Sequence, residues 1–132
     1  MVLVLAAVLA GCSGHDSRGA GGTAPGAPVM LNDISVATVV DAMAKAKLPV
    51  LNARDSTSSR CPEAGCVQAT DTDTVSILKF PSTGRAELYA AAVRDMLQVE
   101  DIVVVYAPTL SDEQKAAYGQ VVKHTMLTPA SP

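Results

Sequence analysis

TVSILKFPSTGRAELYAAAVRDMLQVEDIVVVY, residues 74–106, decides the fold. Thr74 to Phe80 is rich in β-branched and aliphatic residues and reads as a strand ended by Pro81. Ser82 can cap a helix, which the pattern carries to about Gln98. Leu88, Tyr89, Ala92, Val93, Met96 and Leu97 would form its apolar stripe, leaving Glu87, Arg94 and Asp95 to solvent. Ile102 to Tyr106, IVVVY, is an unbroken apolar run. Such a run suits an inner strand covered on both faces or nearly so. Strand, helix and strand together read as a crossover unit, expected to be right-handed with its two strands parallel.

Outward from this unit, Val67 to Thr70 reads as a short strand, with Asp71-Thr72-Asp73 as the turn of a hairpin into Thr74. Upstream, Val36, Val39, Val40 and Met43 repeat at helical spacing within Ser35 to Lys47. Asp33 or Ser35 can cap this helix, Lys45 and Lys47 suit its C-terminal end, and Pro49 stops it. Pro49 to Ala53 is expected as a short extended piece and Arg54 to Cys61 as a polar loop. Downstream, Pro108 ends the IVVVY strand. Ser111 and Gln114 have capping-box spacing, and Asp112 and Glu113 suit a first turn. A last helix to about Met126 would bury Ala117, Tyr118, Val121, Val122 and Met126. The expected architecture is α+β: a small mixed sheet of three to four strands with helices packed mainly on one face, ferredoxin-like in character. There is no internal repeat.

The start of the chain carries a different message. Val2 to Leu9 is an apolar run followed by Ala10, Gly11 and Cys12. Leu9-Ala10-Gly11-Cys12 resembles the lipobox of bacterial lipoproteins. The resemblance implies a signal peptide over residues 1–11, a diacylglycerol thioether on Cys12, and cleavage just before it. A secretory signal normally has a basic n-region, yet no Lys or Arg precedes Arg18. The translation start is therefore expected a few codons upstream. Eleven apolar residues fall short of the roughly 20 that a spanning helix needs. Two acyl chains would give stable anchoring. This makes the expected location the outer face of a bacterial cell membrane, with the membrane as partner through Cys12.

Residues 12–30 then read as the lipidated N-terminus and a tether. SGHDSRGAGGTAPGAP, residues 13–28, has no large apolar side chain to offset chain entropy. His15 and Asp16 have the chemistry of metal ligands, but a solvated tether gives them no fixed geometry. Residues 31–127 form the single expected domain, and residues 128–132 a loose tail. With 13 acidic against 10 basic residues, one Phe and no Trp, the chain offers neither basic stripe nor stacking platform. Nucleic acid is not an expected partner.

Once Cys12 is lipidated, Cys61 and Cys66 remain. In an oxidising compartment a pair so close is most economically a disulfide. The alternatives are a redox dithiol, although the spacing is C-x-x-x-x-C rather than C-x-x-C, and a zinc site, for which His124 is the one further candidate ligand. No metal or cofactor is expected. The candidates for acid–base work are Asp71, Asp73 and His124, each with an ordinary reading as turn residue or helix-end histidine. Ser56 to Ser59 lacks the nucleophile-elbow pattern. Pro81-Ser82-Thr83-Gly84-Arg85 could bind an anion at a helix start, but no G-K-[ST] follows and capping is the preferred reading.

CPEAGCVQATDTDTVSILKFPSTGRAELYAAA, residues 61–92, resembles the small secreted lipoproteins of actinobacteria, mycobacteria among them. Paired cysteines, a Thr/Asp hairpin, an apolar strand, Phe-Pro and an Ala-rich helix carry the resemblance. It implies location and carries no catalytic motif. The expected function is a non-enzymatic binding module on the envelope, taking an envelope protein or a small ligand. A small hydrolase or transferase using Asp71, Asp73 or His124, or a redox protein using Cys61 and Cys66, is the alternative. Tyr89 and Tyr118 would matter for binding if exposed, though both fall on apolar stripes. Cys12→Ala should release the protein from membrane fractions or leave it uncleaved; fractionation with mass spectrometry of the N-terminal peptide reads the outcome.

Overall fold

A computed structural model describes residues 33–128. The lipobox with Cys12, the tether and residues 129–132 lie outside the described residues. Nine elements follow in chain order: α1 Val36–Lys45, β1 Arg54–Asp55, α2 Thr57–Ala64, β2 Gln68–Asp71, β3 Val75–Lys79, α3 Thr83–Ala91, β4 Met96–Val99, β5 Ile102–Tyr106 and α4 Asp112–Leu127. The five strands form one sheet in the order β1-β2-β3-β5-β4, with every neighbouring pair antiparallel. The α+β class is as expected.

The parallel pairing is not. Strands β3 and β5 run antiparallel, with Ile77 opposite Val104 and Leu78 opposite Val103. Helix α3 stops at Ala91 instead of reaching Gln98, where Ala92 and Val93 donate back to Tyr89 and Ala90 carbonyls. The chain then turns through Asp95, whose φ is +50°, a conformation Asp tolerates better than most residues. Met96–Val99 is thereby freed to form β4, which hairpins into β5 through Glu100 and Asp101. The crossover does exist, but it joins β3 to β4, and β5 is inserted antiparallel between them. The sheet is consequently antiparallel and five-stranded rather than mixed with three to four strands.

Helices cover both faces, which corrects the one-sided, ferredoxin-like arrangement. Val75 and Ile77 of β3 join Ile102, Val104 and Tyr106 of β5 beneath α1 and α4. Leu78, Phe80 and Val103 face the other way, toward Cys61 of α2 and Ala86 and Ala90 of α3. The period of two sends alternate side chains to opposite layers, and each layer has its own buried apolar cluster. Each such aliphatic side chain contributes about 1.5–3 kcal/mol relative to exposure. A sheet apolar on both sides requires two covering layers, and α2, read as a loop from the sequence, supplies part of the second.

The long helices start where their caps put them. Ser35 accepts from the Thr38 amide ahead of α1, and Val36, Val39 and Met43 are buried as the spacing demands. Ser111 and Gln114 form the expected capping box, with bonds of 2.8 and 3.2 Å. Tyr118 is core, its hydroxyl held by Thr74 Oγ1 at 2.9 Å and by the Pro49 carbonyl. Those bonds tie α4 to the 49–53 segment, which forms a turn in place of the expected extended piece. Thr128 belongs to α4 as its C-cap rather than to a tail, its amide bonding the His124 carbonyl.

One charged pair sits inside the α1/α4 layer. Lys79 and Asp101 are 2% and 0% exposed, with Nζ 3.2 Å from Oδ2. The same ammonium donates to the Ile34 carbonyl at 2.6 Å, linking the end of β3 and the β4–β5 turn to the entry of α1. A buried pair of this kind gains little over an apolar substitute, yet removing one partner strands the other charge. Lys79→Met should therefore cost about 3–5 kcal/mol, while Lys79→Met with Asp101→Leu should recover most of the loss, as read by urea unfolding.

Candidate functional site

The second layer leaves a cleft between α2 and α3. Helix α2 begins where Asp55 Oδ1 accepts the Thr57 amide at 2.9 Å and the Ser56 carbonyl accepts from Ser59 and Arg60. That bonding to Thr57, side chain first and backbone second, holds the Asp55 carboxyl below its ordinary value. Thr57 also bonds the Ala69 backbone in both directions, fastening the helix start to β2. Gly65 ends α2 at φ +82°, a left-handed conformation that glycine adopts without steric cost.

Cys61 and Cys66 form a disulfide across this terminus, with Cα atoms 4.6 Å apart. Both are buried against the second core layer. Closing so short a ring contributes about 2 kcal/mol. Cys61 lies in the last turn of α2, the negative end of the helix dipole, opposite to the end that stabilises a thiolate.

Helix α3 starts at Ser82, whose hydroxyl accepts the Arg85 amide at 3.2 Å. Its buried face is alanine, Ala86 and Ala90, rather than the stripe of larger residues the sequence suggested. Leu88 is 70% exposed. Tyr89 is half-buried with its ring tilted against Phe80, centroids 5.2 Å apart. Arg85, Leu88, Tyr89 and Ala92, at i, i+3, i+4 and i+7, form one wall of a cleft of about 450 Å³. Ser59, Arg60, Glu63 and Ala64 form the other.

Arg60 is fixed by Asp71 of β2, its Nε lying 2.8 Å from Oδ1 and 3.0 Å from Oδ2. Burial works to raise the Asp71 carboxyl, but hydrogen bonds from Arg60 and Ser76 and the Arg60 charge outweigh it and hold the group below its ordinary value. Arg85 has no acidic partner among the described residues.

The three candidate acid–base residues are not gathered. Asp71 faces α2 and is committed to Arg60. Asp73, in the β2–β3 turn, accepts from Asn52 Nδ2 at 2.6 Å. His124 lies on the opposite side of the sheet, in a groove of about 540 Å³ between α1 and α4, beside Lys45 and Thr125. No group of three His, Cys, Asp or Glu capable of holding a metal occurs among the described residues, and no helix there is long and apolar enough to cross a membrane. Ser59 and Arg60, which the sequence assigned to a loop, are cleft residues. The signal for them was Asp55 ahead of Thr57 and Gly65 after Ala64, a start and a stop flanking eight helical residues.

A lowered carboxyl in the folded state contributes stability above the unfolded value near pH 4, and that stability is lost as pH falls through the folded value. Arg60→Gln should raise the Asp71 titration midpoint in carboxyl-detected NMR and flatten the loss of stability below about pH 4. No protein-family model, curated protein or solved structure matches the chain.

Proposed function

We propose that this chain is a lipid-anchored cell-envelope protein that works by binding, with the α2–α3 cleft as its ligand surface. The cleft carries the reading: it combines an exposed leucine, a braced tyrosine ring and two arginines in a concavity within the usual size of small-molecule sites, roughly 300–1,000 Å³. Apolar walls with a few oriented polar groups are what such sites need, and here Arg60 has a fixed support. Asp71 aims Arg60, and the disulfide closes the end of the helix that carries it. The anchor belongs to the proposal through the lipobox at Leu9-Ala10-Gly11-Cys12.

Catalysis finds less support. Asp71 is neutralised by its arginine, and Asp73 and His124 sit on separate parts of the molecule. A redox role for Cys61 and Cys66 would require thiolates at the helix end that disfavours them. The bridge acts better as a staple.

The test is native mass spectrometry of the full chain after incubation with a detergent extract of bacterial envelope. A noncovalent small-molecule adduct is expected on the unaltered protein and should be lost in Leu88→Asp. An adduct retained equally by Leu88→Asp, or none at all, would remove the cleft from the proposal.

A further inference from the structure

We infer that the α2–α3 cleft takes a small anionic amphiphile: a phosphate or carboxylate head on a short alkyl or aryl body. The inference rests on the reading of this cleft as the ligand surface and adds the chemistry of the ligand. Its head would meet the guanidinium groups of Arg60 and Arg85, and its body would lie on Leu88 and Tyr89.

The walls hold more donors than acceptors. Arg60 and Arg85 line the cleft with one acid, Glu63, while Asp71 beneath it offsets the charge of Arg60 and leaves that residue's outer donors facing the cleft. Arg60 uses Nε on Asp71 and Nη2 in a long contact to Ser76, leaving the Nη1 donors uncommitted. A guanidinium has five donors in a fixed fork, so anchoring one edge orients the other toward a planar or tetrahedral oxyanion. Arg85 brings a second fork with no carboxylate holding it. The first turn of α3 contains no acidic residue to repel an anion there.

The apolar part of the wall sets the other half of the ligand. Leu88 is among the most exposed large hydrophobic residues described, and an alkyl or aryl surface laid over it removes that area from water. Tyr89 is braced from below by Phe80, so it can present a ring face without first being ordered. A bare inorganic anion would leave this surface wet, and a neutral amphiphile would leave the Arg85 guanidinium and the outer donors of Arg60 unmatched.

Titration calorimetry and amide-shift mapping on the full chain with its disulfide formed test the inference, using n-octyl phosphate, octanoate, n-octyl glucoside and inorganic phosphate. An octyl anion should bind, with shifts confined to α2 and α3. The tighter of the phosphate and the carboxylate identifies the head. Arg85→Gln should weaken it about tenfold, and Glu63→Gln should tighten it, with octyl glucoside indifferent to both changes. Equal affinity for the glucoside and the anions would overturn the inference while leaving the cleft a binding site. Inorganic phosphate binding as tightly as octyl phosphate would overturn its apolar half. Binding by none of the four overturns it outright; the envelope-extract adduct then decides separately whether the cleft binds anything.

Discussion

Strands β3 and β5 bury apolar side chains on both faces, and the remaining elements are placed by that constraint. Ile77, Leu78, Val103 and Val104 are fully buried, two directed to each side of the sheet. A central pair of this kind cannot sit at an edge or against water on one side. It needs flanking strands, which β2 and β4 provide, and a helical layer above and below. The two layers are unlike. α1 and α4 meet over large side chains, Met43, Tyr118 and Val122 among them. α2 and α3 rest on small ones, Ala69, Ala86 and Ala90, with the disulfide as part of the packing. The cleft lies in this thinner layer, where two short helices share the sheet without filling the space between them.

Polar groups in the interior are treated as economically as the apolar ones. The Lys79 ammonium meets both a carboxylate and a backbone carbonyl, which is how a buried charge escapes an uncompensated desolvation cost. Tyr118 reaches from α4 across the core to the chain between α1 and β1. Both contacts link residues distant in sequence, and both fix where α1 enters or leaves the sheet.

Legibility in the sequence tracked how local the stabilising physics is. β5 was plain because an apolar β-branched run has one comfortable home, and α4 because its capping box is complete within four residues. β4 was hidden because Val93, Met96 and Leu97 suit a helical stripe as well as a strand; the deciding event is the turn at Asp95 and pairing with β5. α2 was hidden because TSSRCPEA has weak helix formers and an internal proline. Its support is tertiary, from Asp55, Ala69 and the buried cysteines. With α2 unread, the cleft could not be read either, and Arg60 and Asp71, eleven positions apart, gave no sign of being partners. The disulfide was legible from the closeness of Cys61 and Cys66 taken with an expected oxidising compartment, whereas the lipidation expected at Cys12 lies outside the described residues.

The cross-link between Cys61 and Cys66 also sets where the molecule can be finished. Arg60 stands next to one of the bridged sulfurs, and Ser59 and Glu63 occupy the same two helical turns. Without the bridge this short, proline-containing helix would keep its ties to Asp55 and Ala69 at the start and lose the staple at its end. Oxidation of the two thiols closes that end. The redox state around the chain thus takes part in shaping this wall of the cleft, and a reduced chain would carry every residue of the wall without the covalent closure at its end.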